Sequence, residues 1–319
     1  MQIGLLRTAH PLYGGSQYES MMMNALAREH NTTVFEAMPW IPYGYRPQSF
    51  LRAAVVERRA KVGVWIRNEV ALTCMTTRGH SKQVALIHHL DESIGPIGIW
   101  NRALHRRLVN NIRRCDRVVV VSKYWQRRLS ELGVKVSALI YNAFEVTRFA
   151  VHDEDVRNFK ATHGLIGKPV IYIGNCRKRK GAQAVWRALR DKGYHLVTSG
   201  LSDIDIPIQQ FLLPYEQYIL LLAASDAAIA MSDFEEGWSR TSHEALLCKT
   251  PVVGSGAGGM GELLNDAGQL VCRDFAELPD MVRHAVTNRG ELGRRGHAFA
   301  SLFTAERFGQ EWLRVVADI

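Results

Sequence analysis

Two segments of this chain repeat one grammar, and the repetition limits the folds open to it. The first is a strand, "IGLL", a loop ending in Gly14-Gly15, and the helical run "QYESMMMNALAREH". The second is the strand "PVIYIG" at 169–174, a loop ending in Lys180-Gly181, and the helical run "AQAVWRALRDKG". A strand, a glycine-bearing turn and an amphipathic helix open a Rossmann-like α/β unit. Apolar, β-branched runs then continue each series: "QVALIHHL" and "DRVVVVS" first, then "YHLVTSG", "IQQFLL", "DAAIAMS", "TPVVGS" and "GQLVC". Such runs are buried strands of parallel type. With 319 residues, each of two domains can bury a core. The fold class is therefore α/β, two Rossmann-like domains facing each other across a cleft. The first domain is expected over 1–150 and the second over 151–304, with the polar segment 145–168 as the hinge. The closing run 305–319 is amphipathic, with Phe308, Trp312 and Val315 on one helical face.

Composition narrows the class further. No run of eighteen apolar residues occurs, which excludes a transmembrane helix. The first residues, "MQIGLLRTAHPLYGG", lack the pattern of a signal peptide and read as a first strand. The five cysteines (Cys74, Cys115, Cys176, Cys248 and Cys272) form no C-x-x-C pair, which argues against a disulfide framework or zinc site and suits a reducing cytoplasm. Charge is uneven: residues 1–150 hold 21 Lys+Arg against 10 Asp+Glu, and the remainder 19 against 21. A basic first half suits an anionic partner, and surplus arginines that only keep the chain soluble are the alternative.

Ligands of such sheets bind beyond the carboxyl ends of the strands, so the loops carry the candidates. In "EEGWSRTSHE", 235–244, a strand ends near Ser232, Glu236 and Gly237 occupy the turn, and a helix begins near Ser239. Amides at a helix start, flanked by Ser239, Thr241 and Ser242, suit phosphate or sugar hydroxyls. Glu236 and Glu244 would grip a long ligand at two places; a solvated acid is the alternative for each alone. "GNCRKRKGAQ" sets four cations, Arg177 to Lys180, between a strand and a helix, which a diphosphate needs and which a solvated basic turn also explains. "GSGAGGMGELL" contains G-x-G-x-x-G at Gly254, Gly256 and Gly259, with Asp274 twenty residues beyond the first glycine. The helix that follows is too short for a dinucleotide crossover, so a loop over a ligand is preferred, with Glu262 at its exit. "ALIHHLDES" ends a strand with His88 and His89, either a cleft base or donor or a structural histidine. A metal site with Asp91 is disfavoured, because adjacent strand residues point opposite ways. In 101–117, Leu104, Leu108 and Ile112 line up amid Arg102, Arg106, Arg107, Arg113 and Arg114, either a membrane-surface helix or one whose apolar side joins the core.

In this order, over nearly the whole chain, the passages resemble the retaining GT-B glycosyltransferases of family 4. "EEGWSRTSHEALLCKTPVVGSGAGGMGELL" carries most of the likeness: a Glu, seven residues and a second Glu, then Pro-Val-Val, then Gly-Gly and a late Glu. "VIYIGNCRKRKG" is similar to that family's phosphate loop and "RCDRVVVVSKYWQRRLSELGV…ALIYNAFEVTRF" to its passage into the hinge. The resemblance implies transfer of a sugar from a nucleotide diphosphate with retained configuration, with no cofactor and no metal ligands. It makes His88 and Glu236 catalytic. It makes Gly14, Gly15, Arg177, Lys180, Trp238, Ser239, Arg240, Thr241, Glu244, Gly258 and Gly259 donor-binding, with Glu236 at the sugar, Glu244 at the ribose and Lys180 at the diphosphate. The C-terminal helix would return to the first domain. The family's Gly-Arg is Gly174-Asn175 here, leaving Arg177 or Arg179 to replace the arginine, and its aromatic-Gly is Trp238-Ser239. The acceptor implied is lipid-linked or another glycoconjugate at a membrane surface, with a nucleic acid as the rival. A glycosidase using Glu236 and Glu244, and a degenerate sugar-nucleotide-binding protein, are the other readings.

Overall fold

Two separate parallel sheets organise the chain in the computed structural model, which describes residues 1–7, 14–37, 46–75, 81–90 and 98–319. The first sheet comprises β1 (Gln2–Arg7), β2 (Asn31–Glu36), β3 (Val64–Arg67), β4 (Lys82–Ile87), β5 (Arg117–Val120) and β6 (Ala138–Leu139), in the spatial order β2-β1-β3-β4-β5-β6. The second comprises β7 (Val170–Tyr172), β8 (His195–Ser199), β9 (Gln209–Phe211), β10 (Ala227–Ala230), β11 (Val252–Gly254) and β12 (Leu270–Val271), in the order β12-β11-β10-β7-β8-β9. Parallel neighbours cannot be joined by hairpins, so helices cross over between them and cover the faces. That is why β4, β5 and β7 read as unbroken apolar runs and are buried almost throughout.

Contacts divide the chain into one unit of residues 1–143 with 305–319, and another of residues 144–304. The segment 145–168, expected as the hinge, lies inside the second unit. It holds a 3-10 turn, Val146–Phe149, and a helix, Asp153–Thr162. Its polarity misled because the helix buries one large residue, Phe159, while Asp153, Glu154 and Asp155 occupy the first turn, where the helix dipole favours acids. That helix packs on the helix Tyr215–Ala224.

The C-terminal helix, Ala305–Ala317, belongs to the first unit and packs on the helix Gly14–Leu26. Phe308, Trp312 and Val315 are all buried, as their spacing requires. Tyr18 is the anchor. Its hydroxyl donates to the Ile140 carbonyl at 3.0 Å and accepts the Trp312 indole N–H at 3.2 Å, and its ring meets Phe308 edge-on at 4.9 Å.

The basic helix Gly98–Arg113 buries Leu108, Val109 and Ile112 in the core of the first unit. Arg107 turns back to the end of the helix Glu69–Cys74, donating to the Thr73 and Met75 carbonyls, each at 2.8 Å. The apolar side thus joins the core. Among the described residues no helix is long and apolar enough to cross a membrane.

Trp312→Ala is expected to lower stability by about 3–5 kcal/mol, the range for emptying a buried tryptophan site. Tyr18→Phe removes a single hydroxyl and should cost about 1–3 kcal/mol, because the Trp312 N–H loses its acceptor. Urea unfolding of both variants measures the difference; a negligible effect of Trp312→Ala would contradict this docking.

Candidate functional site

Strand order locates the site of the second unit. Counted from β7, its spatial order is 3-2-1-4-5-6, and the order reverses between β7 and β10. Ligands of open α/β sheets bind beyond the carboxyl ends at such a reversal. The loop after β7 carries Lys180, and the loop after β10 carries Glu236.

These side chains meet there: Lys180 Nζ lies 2.7 Å from Glu236 Oε1. Ser232 Oγ donates to the same oxygen. The acid is nearly buried while a third of the lysine side chain stays exposed. Two glycines permit the approach. Gly181 ends the short 3-10 turn Lys178–Lys180 at φ 71°, and a Cβ there would overlap the Met231 carbonyl. Gly258, at φ 68°, lies against the backbone of Glu236, where a side chain would overlap it. Glu236 N–H donates to Ala257 O at 3.3 Å and Gly259 N–H to Glu236 O at 2.8 Å. Gly258 and Gly259 therefore act on Glu236 through backbone contact. The loop after β7 is joined to the loop after β10 a second time: Asp233 N–H donates to Arg179 O at 3.1 Å, and the Arg179 guanidinium lies 4.6 Å over Phe234. Arg177, the other cation proposed to stand in for an arginine at Asn175, is half-buried.

Glu244 lies on the helix Arg240–Leu247, which Ser239 precedes as N-cap. Its Oε1 accepts from Tyr215 at 3.0 Å and from Arg240 at 3.3 Å, and its Oε2 accepts from Tyr218 at 3.2 Å. Burial pushes both tyrosine hydroxyls up, with the Glu244 carboxylate next at Tyr215, and Tyr172 then Glu244 next at Tyr218, so both remain donors. A carboxylate offers about four acceptor positions, and three donors leave room for about one more. Arg240 also lies 4.4 Å over the Phe144 ring, and Thr241 is half-buried. Sequence reasoning missed the tyrosines, although Tyr215 and Tyr218 stand three apart on one helical face.

Trp238 turns into the core. Its indole N–H donates to His243 Nδ1 at 3.0 Å, and His243 Nε2 pairs with the Ala300 carbonyl at 3.0 Å. Burial lowers His243 to about 3, so the ring is neutral, with Nε2 carrying the proton. The Ser239 hydroxyl is paired with that of Ser242 at 2.8 Å. Trp238 and Ser239 thus shape the turn from within. Around the glycine-rich loop, the helix after β11, Gly259–Asp266, has only eight residues, and Asp274 accepts the Ala276 amide at 2.9 Å. Asp203 accepts the Lys178 amide at 2.7 Å.

In the first unit the order β2-β1-β3 reverses at β1. The helix after β1 starts at Gly14, and His88 follows β4. A Cβ on Gly15 would stand 3.5 Å from the His88 ring, which also meets Tyr18 edge-on at 5.1 Å. His88, rather than His89, is therefore the histidine beside Gly15. The loop 8–13 and Asp91 lie outside the described residues. Beneath these residues is a polar cluster that the sequence reading did not find. Asn68 Nδ2 donates to Glu19 Oε1 at 2.7 Å, and its Oδ1 caps the next helix at Ala71 N–H at 3.0 Å. Arg7 Nε is 3.9 Å from Glu19 Oε2. Burial lifts the Glu19 carboxyl from 4.5 to about 7, and Asn68 and Arg7 offset only part of that.

No family model matches the chain. An uncharacterized glycosyltransferase of Methanocaldococcus jannaschii is 22% identical over 264 residues, 77% of this chain and 68% of the relative. Sucrose-phosphate synthase from Thermosynechococcus elongatus superposes with a TM-score of 0.83 at 15% identity, covering 99% of this chain and 98% of that one. Anabaena HepE, solved in complex with UDP-glucose, gives 0.80 at 17% identity and full coverage of both chains. The fold is that of the GT-B glycosyltransferases, two Rossmann-like α/β units.

Because Glu19 holds its proton more tightly folded than unfolded, its contribution to stability is full below pH 4.5 and is lost as pH rises to about 7. Glu19→Gln should therefore gain stability relative to the native chain across that window, by up to roughly 3 kcal/mol, and level off above it. Denaturant unfolding of both proteins at a series of pH values measures the gap; a gap independent of pH would rule out the raised carboxyl.

Proposed function

We propose that the chain is a retaining glycosyltransferase that moves a sugar from a nucleotide diphosphate to a lipid-linked or other glycoconjugate acceptor at a membrane surface. The observation that carries this reading is the Lys180–Glu236 pair at the strand-order reversal of the second unit. The glycosyltransferase relative and the UDP-glucose complex of HepE support a nucleotide-sugar donor.

In this reading the ammonium of Lys180 donates one N–H hydrogen bond to Glu236 and keeps two N–H groups for diphosphate oxygens. Charge developing on the leaving diphosphate falls to Lys180, with Arg177 or Arg179, and to amides at the start of the helix Ala182–Leu189. Glu236, fixed by Ser232 and by the backbone of 257–259, accepts hydroxyls of the transferred sugar. Glu244 accepts one ribose hydroxyl in its remaining position, with Tyr215 and Tyr218 setting the orientation of its carboxylate. In the first unit, the residues that the family resemblance makes donor-facing are His88, Gly14 and Gly15. Retained configuration rests on the family resemblance. The acceptor surface rests on the basic surplus of residues 1–150, with Arg102, Arg106 and Arg114 exposed on and beside the helix Gly98–Arg113.

Lys180→Ala and Glu236→Ala are each expected to lower donor turnover by about 100-fold or more, the scale of losing one group that stabilises developing charge, with unchanged circular dichroism. Release of nucleoside diphosphate from a panel of UDP- and GDP-sugars reads this out, and both variants turning over like the native protein would refute the site. For the acceptor, co-sedimentation with anionic vesicles should exceed retention of DNA or RNA and weaken with added salt. Stronger retention of nucleic acid over the same salt series would overturn the membrane reading.

A further inference from the structure

Glu69 opens the helix Glu69–Cys74 directly after β3, beside the strand-order reversal of the first unit. An acid at a helix start usually serves its own helix, where the exposed amides favour negative charge. Here the cap is already supplied by Asn68, and the Glu69 carboxyl reaches the neighbouring strand exit instead. One oxygen, Oε1, accepts the backbone amides of both His88 and His89, the latter at 2.9 Å. Two consecutive amides converging on one carboxylate oxygen fix the direction in which the chain leaves β4. The consequence is visible next door, where the His88 ring is set against Tyr18 and Gly15.

We propose that Glu69 is the positioning residue of His88, holding the exit of β4 so that the imidazole is presented beside the start of the helix Gly14–Leu26. The surroundings are polar and closed. Glu19 faces Glu69 from that helix and carries Asn68 and Arg7 with it. Arg67, at the end of β3, is committed to Gln83 at 2.7 Å and to Glu57. His88 and His89 approach from β4 through their amides. Burial first, and then the like charge of Glu19, raise the Glu69 carboxyl from 4.5 to about 7, against the pull of its own amide and those of the two histidines. Ionisation strengthens Oε1 as an acceptor, so the turn is held more firmly above that pH than below it.

The structural part of this proposal stands on the first unit alone; its effect on turnover rests on the glycosyltransferase reading, and the test separates the two. The readout is NMR of the full chain labelled at histidine, tyrosine and glutamate. In the native protein the His88 and His89 amide shifts should follow the Glu69 carboxyl carbon through one step with a midpoint near 7. Glu69→Gln keeps an acceptor oxygen and should preserve the cross-peaks between the His88 and Tyr18 rings while abolishing that step. Glu69→Ala should lose those cross-peaks while retaining the ones between Tyr18 and Trp312 that report an intact unit. With UDP-glucose as probe, Glu69→Ala should lower kcat on the order of 100-fold with little change in KM, the scale of misplacing a group by about an ångström, and Glu69→Gln should restore most of it. Amide shifts that ignore the carboxyl carbon, or unchanged His88–Tyr18 cross-peaks in Glu69→Ala, would overturn the proposal. Lost cross-peaks with undiminished turnover would uphold the positioning role and reject His88 as part of the reaction.

Discussion

Lys180 and Glu236 meet because two stretches of backbone come closer than any side chain between them would allow. Gly181 lies against the carbonyl of Met231, at the end of β10, and Gly258 lies against Glu236 itself. Either contact alone would leave the loop after β10 free on one side. Together they clamp it between the loops after β7 and β11, and the acid is then carried into a nearly buried position. A carboxylate there is costly without a cation, so the fold of three loops and the ion pair depend on each other. The lysine is the more exposed partner of the two.

The two units use the same strand–turn–helix grammar but close their sheets in different orders, and that difference decides where each can hold a ligand. In the second, the reversal falls between β7 and β10, so the phosphate-type loop and the acid loop are neighbours despite 56 residues of separation. In the first, the reversal falls at β1, with β3 beside it, and the neighbours are the start of the helix Gly14–Leu26 and the Asn68-Glu69 corner. His88, one strand further on, is drawn in by the carboxylate of that corner. Which side chains meet at each strand-order reversal thus follows from topology first and from residue chemistry second.

This explains what could be read from the sequence. Buried parallel strands announce themselves as apolar runs, and the glycine turns mark the strand exits, so the second sheet, β1, β4 and β5 of the first, and the loops of Lys180 and Glu236 were legible. Glu69 and Glu19 were not, because "WIRNEVALTC" and "QYESMM" carry no spacing that distinguishes a buried acid from a solvated one. Burial is a property of what packs on a residue from elsewhere in the chain. The same reason hid the partners of Glu244: the tyrosines lie 29 and 26 residues away and meet it only once the helices pack. Trp238 was legible as a departure from a pattern, yet its meaning lay in His243, a neutral histidine that accepts the indole and ties the turn to Ala300. The segment 145–168 looked like a linker because one buried phenylalanine is all that its helix shows to the core.

Four glutamates now divide by environment rather than by position in a motif. Glu236 and Glu244 each have a cation within 3.3 Å and hydroxyl donors beside it. Glu19 is met by the Asn68 side-chain amide, with Arg7 at 3.9 Å, and Glu69 by two backbone amides, with the like charge of Glu19 added to its burial. Burial, the largest cause for both, lifts their carboxyls to about 7 against the pull of those donors, and there small changes in surroundings shift the balance between acid and carboxylate. The division follows from where the cations are. Lys180 and Arg240 stand against the two acids of the second unit, whereas Arg67, a fully buried arginine of the first, is already held by Glu57 and Gln83, which leaves Glu19 to the Asn68 side chain and Glu69 to the backbone amides of His88 and His89. An acid served by backbone amides is fixed in direction, because those amides cannot turn away as a lysine can. That suits Glu69 to holding a strand exit in place.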